Sequence, residues 1–225
     1  QKLTQAAKRA GITRNQLRRA PPLENQWMVV VPDKMSSKGK ADFNIKDDKS
    51  VLLTGANIPN DTYELVINSD ETTISALKIE ALRDPSTVNG GAGRGSNGNF
   101  VLSEIEIEVA SADHPNAFQK VKIATAEADY SQANYSINLA IDGKTDRTGW
   151  AVDGNTKIED RTAVFSFKEP VGFAAGTVLR VRLKHEYGGS HQIARFRTAL
   201  HRSKKPPTPI ALGNITSKPI EKRNE

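Results

Sequence analysis

The chain has no cysteine, two tryptophans, two methionines and four histidines in 225 residues, and aromatic residues make up 6%. Without cysteine, thiol catalysis, cysteine-ligated zinc, iron–sulfur clusters and covalently attached haem are excluded within these residues. No haem is therefore expected in this piece. Compartment stays open on this count, since secreted domains can also lack cysteine. No run approaches 18 consecutive apolar residues, so no membrane span is expected. The chain starts at Gln1 with no methionine and no apolar signal region, and it reads as an excised or processed piece. There is no Gly-x-Ser-x-Gly elbow and no signature for a Ser/His/Asp set. The acids are numerous, but no two are marked as a glycosidase pair. A non-catalytic module is expected.

Acidic residues are also absent from one region. Residues 1–20 carry six basic residues and no acid, and residues 201–225 carry six basic residues against two acids. That leaves 20 basic and 24 acidic residues in 21–200, a net of −4 within a chain of net +6. The basicity belongs to the ends, so a nucleic-acid reading of the central body loses its best support and nucleic acid is not the expected partner.

Gly and Pro punctuate the rest. Leu3, Ala6, Ala7 and Ala10 lie at helical spacing, Gly11 interrupts, Thr13 can cap a turn over Asn15–Arg19, and Pro21-Pro22 ends any helix. Ala7, Gly11, Ile12 and Leu17 followed by Arg18-Arg19 also have the look of a helix-turn-helix. A stabilising third helix is missing, and a basic helical linker over 1–22 is the preferred reading. From Gln26 onward, short runs rich in Val, Ile, Thr and Phe alternate with Gly, Asn, Asp and Pro. Strands are expected at Trp27–Val31, Phe43–Lys46, Val51–Thr54, Thr62–Ile67, Ile74–Leu82, Phe100–Ala110, Lys120–Ala128, Thr162–Phe167, Val178–Leu183 and Gln192–Leu200. Ile74, Ala76, Leu77, Ile79 and Leu82 are expected on one face, and Ile105, Ile107 and Val109 opposite Glu104, Glu106 and Glu108. Turn spacing points to an all-β sandwich over 23–203. Residues 204–225, with Lys204-Lys205-Pro206-Pro207-Thr208-Pro209, read as a flexible linker or tail.

Two loops stand out: 84–99, DPSTVNGGAGRGSNGN, and 140–154, AIDGKTDRTGWAVDG. The first has a superficial likeness to a phosphate loop. A strand rather than a helix follows it, so that reading fails.

The stretch NLAIDGKTDRTGW (138–150) resembles the Ala-(Ile/Val)-Asp-Gly…Thr-x-Trp signature of the galactose-binding-like β-sandwiches, which include discoidin-type domains and many carbohydrate-binding modules. LTGANIPNDTYEL (53–65), ISALKIEALRDPS (74–86), GRGSNGNFVLSEIEI (93–107), TGWAV (148–152), AVFSF (163–167) and HEYGGSHQIARFR (185–197) resemble a more specific relative. It is the β-sandwich domain lodged between two planctomycete-specific domains of very large cytochrome-c-like surface or periplasmic proteins. The match runs from about Trp27 to about Leu200. It implies a jelly-roll sandwich in a larger extracytoplasmic protein, periplasmic or on the cell surface. Its role would be to bind a polysaccharide or glycan, or to act as a spacer that docks on neighbouring domains.

In such sandwiches the Asp-Gly turn folds round a structural calcium ion held by hard oxygen ligands. The resemblance assigns Asp142, the Lys144 carbonyl, Thr148 and Glu104 to that role. This loop is one residue longer than the common pattern, and Lys144 stands where an acid is frequent, so a plain Asp-Gly turn is the alternative. For a glycan, the expected ligand residues are Arg94, Asn97, Asn99, Arg147, Trp150, His185, Tyr187 and His191. They supply ring, amide, guanidinium and imidazole groups suited to sugar hydroxyls, with acidic glycans favoured if Arg94 and the histidines line the site. Trp150 is read either as a sugar platform or as a ring packed beneath the loop. His185 and His191, six residues apart across Gly188-Gly189, are a weak metal pair.

Overall fold

In the computed structural model, residues 26–207 are described. The helical and helix-turn-helix readings of residues 1–20, and most of the tail reading, fall outside them. β-Branched and aromatic runs set fourteen strands among the described residues: β1 (Trp27–Val30), β2 (Lys34–Ser37), β3 (Ala41–Ile45), β4 (Val51–Gly55), β5 (Asp61–Ser69), β6 (Ile74–Ala81), β7 (Val101–Leu102), β8 (Glu104–Ser111), β9 (Gln119–Lys120), β10 (Ile123–Ala128), β11 (Trp150–Ala151), β12 (Arg161–Val171), β13 (Thr177–His185) and β14 (Arg195–His201). One antiparallel sheet runs β10-β12-β6-β14-β4-β3, with β1 also paired to β14. The other runs β2-β5-β13-β8-β9, and β11 pairs with β7 in a short ribbon. Successive long strands alternate between sheets, as β12, β13 and β14 do, which is the path of a jelly-roll sandwich.

Alternation builds the core. Tyr63, Leu65 and Ile67 of β5, Leu179, Val181 and Leu183 of β13, and Ile105, Ile107 and Val109 of β8 point inward and are buried. They meet Leu77, Ile79 and Ala81 of β6, Ala163, Phe165 and Phe167 of β12, and Phe196 and Leu200 of β14. The outward residues of β13 and β8 neutralise one another. Arg180 Nε donates to Glu108 at 2.7 Å, Arg182 reaches Glu64 and Glu108 at 2.8 and 2.9 Å, and Lys184 reaches Glu106 at 2.9 Å.

Several expected boundaries shift. β6 does not put Ile74, Ala76, Leu77, Ile79 and Leu82 on one face. It lies between β12 and β14 and is buried on both sides, with Lys78 and Glu80 on the outer face. Glu80 is met there by Arg197 at 2.7 Å. The expected strand Phe100–Ala110 divides at Ser103 into β7 and β8, and Lys120–Ala128 divides into β9 and β10. β2 (KMSS) has no apolar signal of its own and is recruited as an edge by β5.

Candidate functional site

The loops after β13, between β6 and β7, and around the Asp-Gly turn converge at one end of the sandwich. Gly188 and Gly189 take positive φ of 98° and 58°, which turns the chain sharply as β13 ends. The resulting loop is stapled to residues 57–59: Ser190 N donates to the Pro59 carbonyl at 3.0 Å and Ser190 Oγ to that of Asn57 at 3.1 Å. The second loop joins it through a bridge between Gly93 and Ile193 and a bond from Arg94 N to the Gln192 carbonyl at 2.8 Å. A Cβ at Gly93 would stand 2.0 Å from the Asn99 carbonyl oxygen, so this approach requires glycine.

Tyr187 is the centre of the assembly. Its ring meets Tyr135 edge-on at 6.0 Å and His191 at 4.8 Å, and the Arg147 guanidinium lies over it at 5.5 Å. Arg147 Nε donates to the Tyr187 carbonyl at 3.1 Å, and His191 Nδ1 lies 2.9 Å from the Gly188 carbonyl. Burial and a hydrogen bond with the Tyr187 phenol push the Tyr135 phenol up. Asn97 is exposed, and its Oδ1 accepts from Asn99 N at 3.0 Å. Gly95 sits between Asn97 and His191, and a Cβ there would stand 2.9 Å from the Asn99 carbonyl oxygen. Arg147, Tyr187, His191 and Asn97 are thus brought together, and Tyr135 joins them without having been expected. Its surroundings, Ser131 to Ser136, carry no periodic or motif signal, and only the fold places it against Tyr187.

Other expected ligand residues face inward. Trp150 is fully buried, donates Nε1 to the Tyr130 carbonyl at 2.9 Å, and packs edge-on against Phe100 at 5.1 Å. It is the packed ring of the two readings. The Oδ1 of buried Asn99 accepts from Val152 N and Gly154 N at 3.3 and 3.0 Å, and its Nδ2 donates to Gln132 at 2.9 Å. These three bonds hold two loops together. His185 is 1% exposed and its ring lies tilted against Tyr63 at 4.7 Å. Its Nε2 accepts from Ile193 N at 3.4 Å, and burial pushes its pKa down to about 3. It cannot pair with surface-facing His191 on a metal. Arg94 is half-buried, with Nη2 donating to the Gly55 carbonyl at 3.0 Å and Nη1 to Gln192 Oε1 at 3.5 Å.

The residues assigned to calcium form a different pattern from an ion cage. Glu104 Oε2 accepts from Gly143 N at 3.3 Å, and burial, with Asp142 nearby, pushes its pKa up to about 7. Asp142 Oδ2 instead meets the Lys144 ammonium at 3.7 Å, and the Thr148 hydroxyl donates to Asp146 at 2.5 Å. Among the described residues, no three His, Asp or Glu side chains gather as a metal would need. The four residues do not fit the ion, because one places a cation on the key carboxylate and another is turned to Asp146.

A serine–histidine pair lies at the opposite end of β14. Ser75 Oγ is 2.8 Å from His201 Nδ1 and 3.1 Å from the Lys205 carbonyl, while His201 Nε2 is 3.0 Å from Gln26 Oε1. Both side chains are buried, and burial holds the His201 pKa down to about 4. The pair ties chain segments together and offers no nucleophile to solvent.

No protein-family model matches the chain, and no curated protein matches it. Among solved structures, one described for carbohydrate-binding modules of promiscuous specificity from the β-sandwich superfamily aligns at 7% identity and a TM-score of 0.29. The alignment covers 79% of this chain and 55% of that one. At that TM-score the likeness carries no argument, and the sandwich stands on its own sheets and registers.

Proposed function

We propose that this sandwich is a non-catalytic carbohydrate-binding module that takes a glycan at the loop end centred on Tyr187. One observation carries the reading: Tyr187 and Tyr135, His191, Arg147 and Asn97 meet on half-buried or exposed loops, beside a rigid buried support made of Trp150 and Asn99. Such a set offers an aromatic ring face to a pyranose and mixed donors and acceptors to its hydroxyls. A shallow surface site buries little of its ligand, so affinity is expected to be modest. The motif resemblance described above supports the wider setting, a larger extracytoplasmic protein with cytochrome-like neighbours. Among the described residues, no helix is long and apolar enough to cross a membrane.

The test is calorimetric titration of neutral and acidic polysaccharides against wild type and Tyr187→Ala. Loss of the ring is expected to weaken binding roughly tenfold or more, as for a central aromatic anchor. If wild type binds nothing in a broad panel, or Tyr187→Ala binds as well as wild type, the site is wrong. The sandwich would then be a structural spacer or docking domain.

A further inference from the structure

The charge at this end of the molecule differs from the charge elsewhere. Among the described residues, Arg83, Arg161, Arg180, Arg182, Arg195, Arg197 and Arg202 each pair with a carboxylate. Arg94 and Arg147 form no such pair, and both hydrogen-bond to the 187–192 segment. Arg94 is held on neutral acceptors, the Gly55 carbonyl and Gln192, with no carboxylate within ion-pair distance. Arg147 is exposed, lies over the Tyr187 ring at 5.5 Å and is fixed through Nε, which leaves the outer edge of its guanidinium to solvent. Neither acid of the neighbouring turn lies within ion-pair distance of Arg147. The Asp146 carboxylate closes on Thr148 N and Oγ1 at 2.8 and 2.5 Å, and Asp142 meets Lys144.

A planar guanidinium oriented by a ring and by one of its own N–H groups is preorganised for a bidentate oxyanion. From this pairing of an unpartnered, oriented guanidinium with the tyrosine pair, we infer that the ligand is an anionic glycan. Arg147 grips a carboxylate or a sulfate group while the Tyr187 and Tyr135 rings contact the sugar. The inference rests on the carbohydrate-binding reading and names the chemical class within it.

Two matched polymer pairs test it by calorimetry: polygalacturonate against its methyl-esterified form, and dextran sulfate against dextran. The charged member of at least one pair is expected to bind roughly tenfold tighter at low ionic strength, as for a hydrogen bond to a charged group. The gap should narrow with added salt. Which pair responds tells carboxylate from sulfate. Arg147→Gln should bring the charged polymer to the level of the neutral one, and Arg147→Lys should recover only part, because it keeps the charge and loses the fork. Lys168→Gln makes the same charge change at an exposed position of β12 and should leave binding unchanged. Equal binding of both members in wild type, or equal losses in Arg147→Gln and Lys168→Gln, overturns the anionic reading and leaves carbohydrate binding standing. No binding to any polymer overturns both.

Discussion

His185 and His201 show how burial sets the behaviour of single residues. Each is an ordinary imidazole in the unfolded chain, with a reference pKa of 6.5, but in the fold burial holds them to about 3 and about 4. Between those values and 6.5 the unfolded chain binds more protons than the folded one, so stability is fully present above pH 6.5 and is lost as pH falls below it. Glu104, held up to about 7, acts in the opposite direction over this range, so the share of the histidines is read as a difference: between pH 7.5 and 5 wild type is expected to lose more stability in urea melts than His185→Gln. Equal changes in the two proteins would mean the His185 ring is hydrated. The same inside–outside decision explains what was legible at this scale. Trp150 and Asn99 sit in two loops whose residue types suit a sugar site, and types alone do not say which of them face inward. The backbone of Val152, Gly154 and Tyr130 decides it by claiming their polar atoms. Tyr135 was invisible for the opposite reason, since its partner lies 52 residues away on another loop.

Among the elements, β11 and its neighbour Gly149 tie the Asp-Gly turn to the body. Gly149 has φ of 149°, and a Cβ there would stand 2.3 Å from the Leu102 carbonyl oxygen of β7. Pairing of Trp150 with Leu102 therefore depends on a residue without a side chain. Gly149→Ala is expected to destabilise by about 2 kcal/mol or more through backbone strain and displacement of β7, read as a lower denaturation midpoint at unchanged m-value. A midpoint within error of wild type would show that β7 yields at no cost. Element by element, alternation located β5, β8 and β13 because one of their faces is solvated and charged. In β6 the inward set is Leu77, Ile79 and Ala81 with Lys78 and Glu80 outward, and the apolar Ala76 and the flanking Leu82 fall on the other parity, so apolar residues alone did not tell its two faces apart. β2 and β11 are too short and too dependent on partners for any local signal.

At the scale of the whole molecule, packing of the two sheets and ion pairs on their outer faces hold the sandwich together. The turn at Asp142 is satisfied by Gly143, Lys144 and Asp146–Thr148 contacts. Thermal melts in excess chelator and in millimolar calcium are therefore expected to coincide. A specific ion would raise the midpoint by mass action, and a rise of several degrees would return Asp142 and Glu104 to a metal role.

The contacts of His201 have a consequence for how the body sits in any longer chain. Gln26 and Lys205 both reach the Ser75–His201 pair, and β1 pairs along β14 with Trp27 opposite His201. The polypeptide thus enters and leaves at neighbouring points, while the tyrosine cluster lies beyond the far end of the seven-residue β14, about 20 Å away at the usual rise per residue. The two ends of the described body thus lie side by side, and the tyrosine cluster is held out at the opposite end, away from that seam.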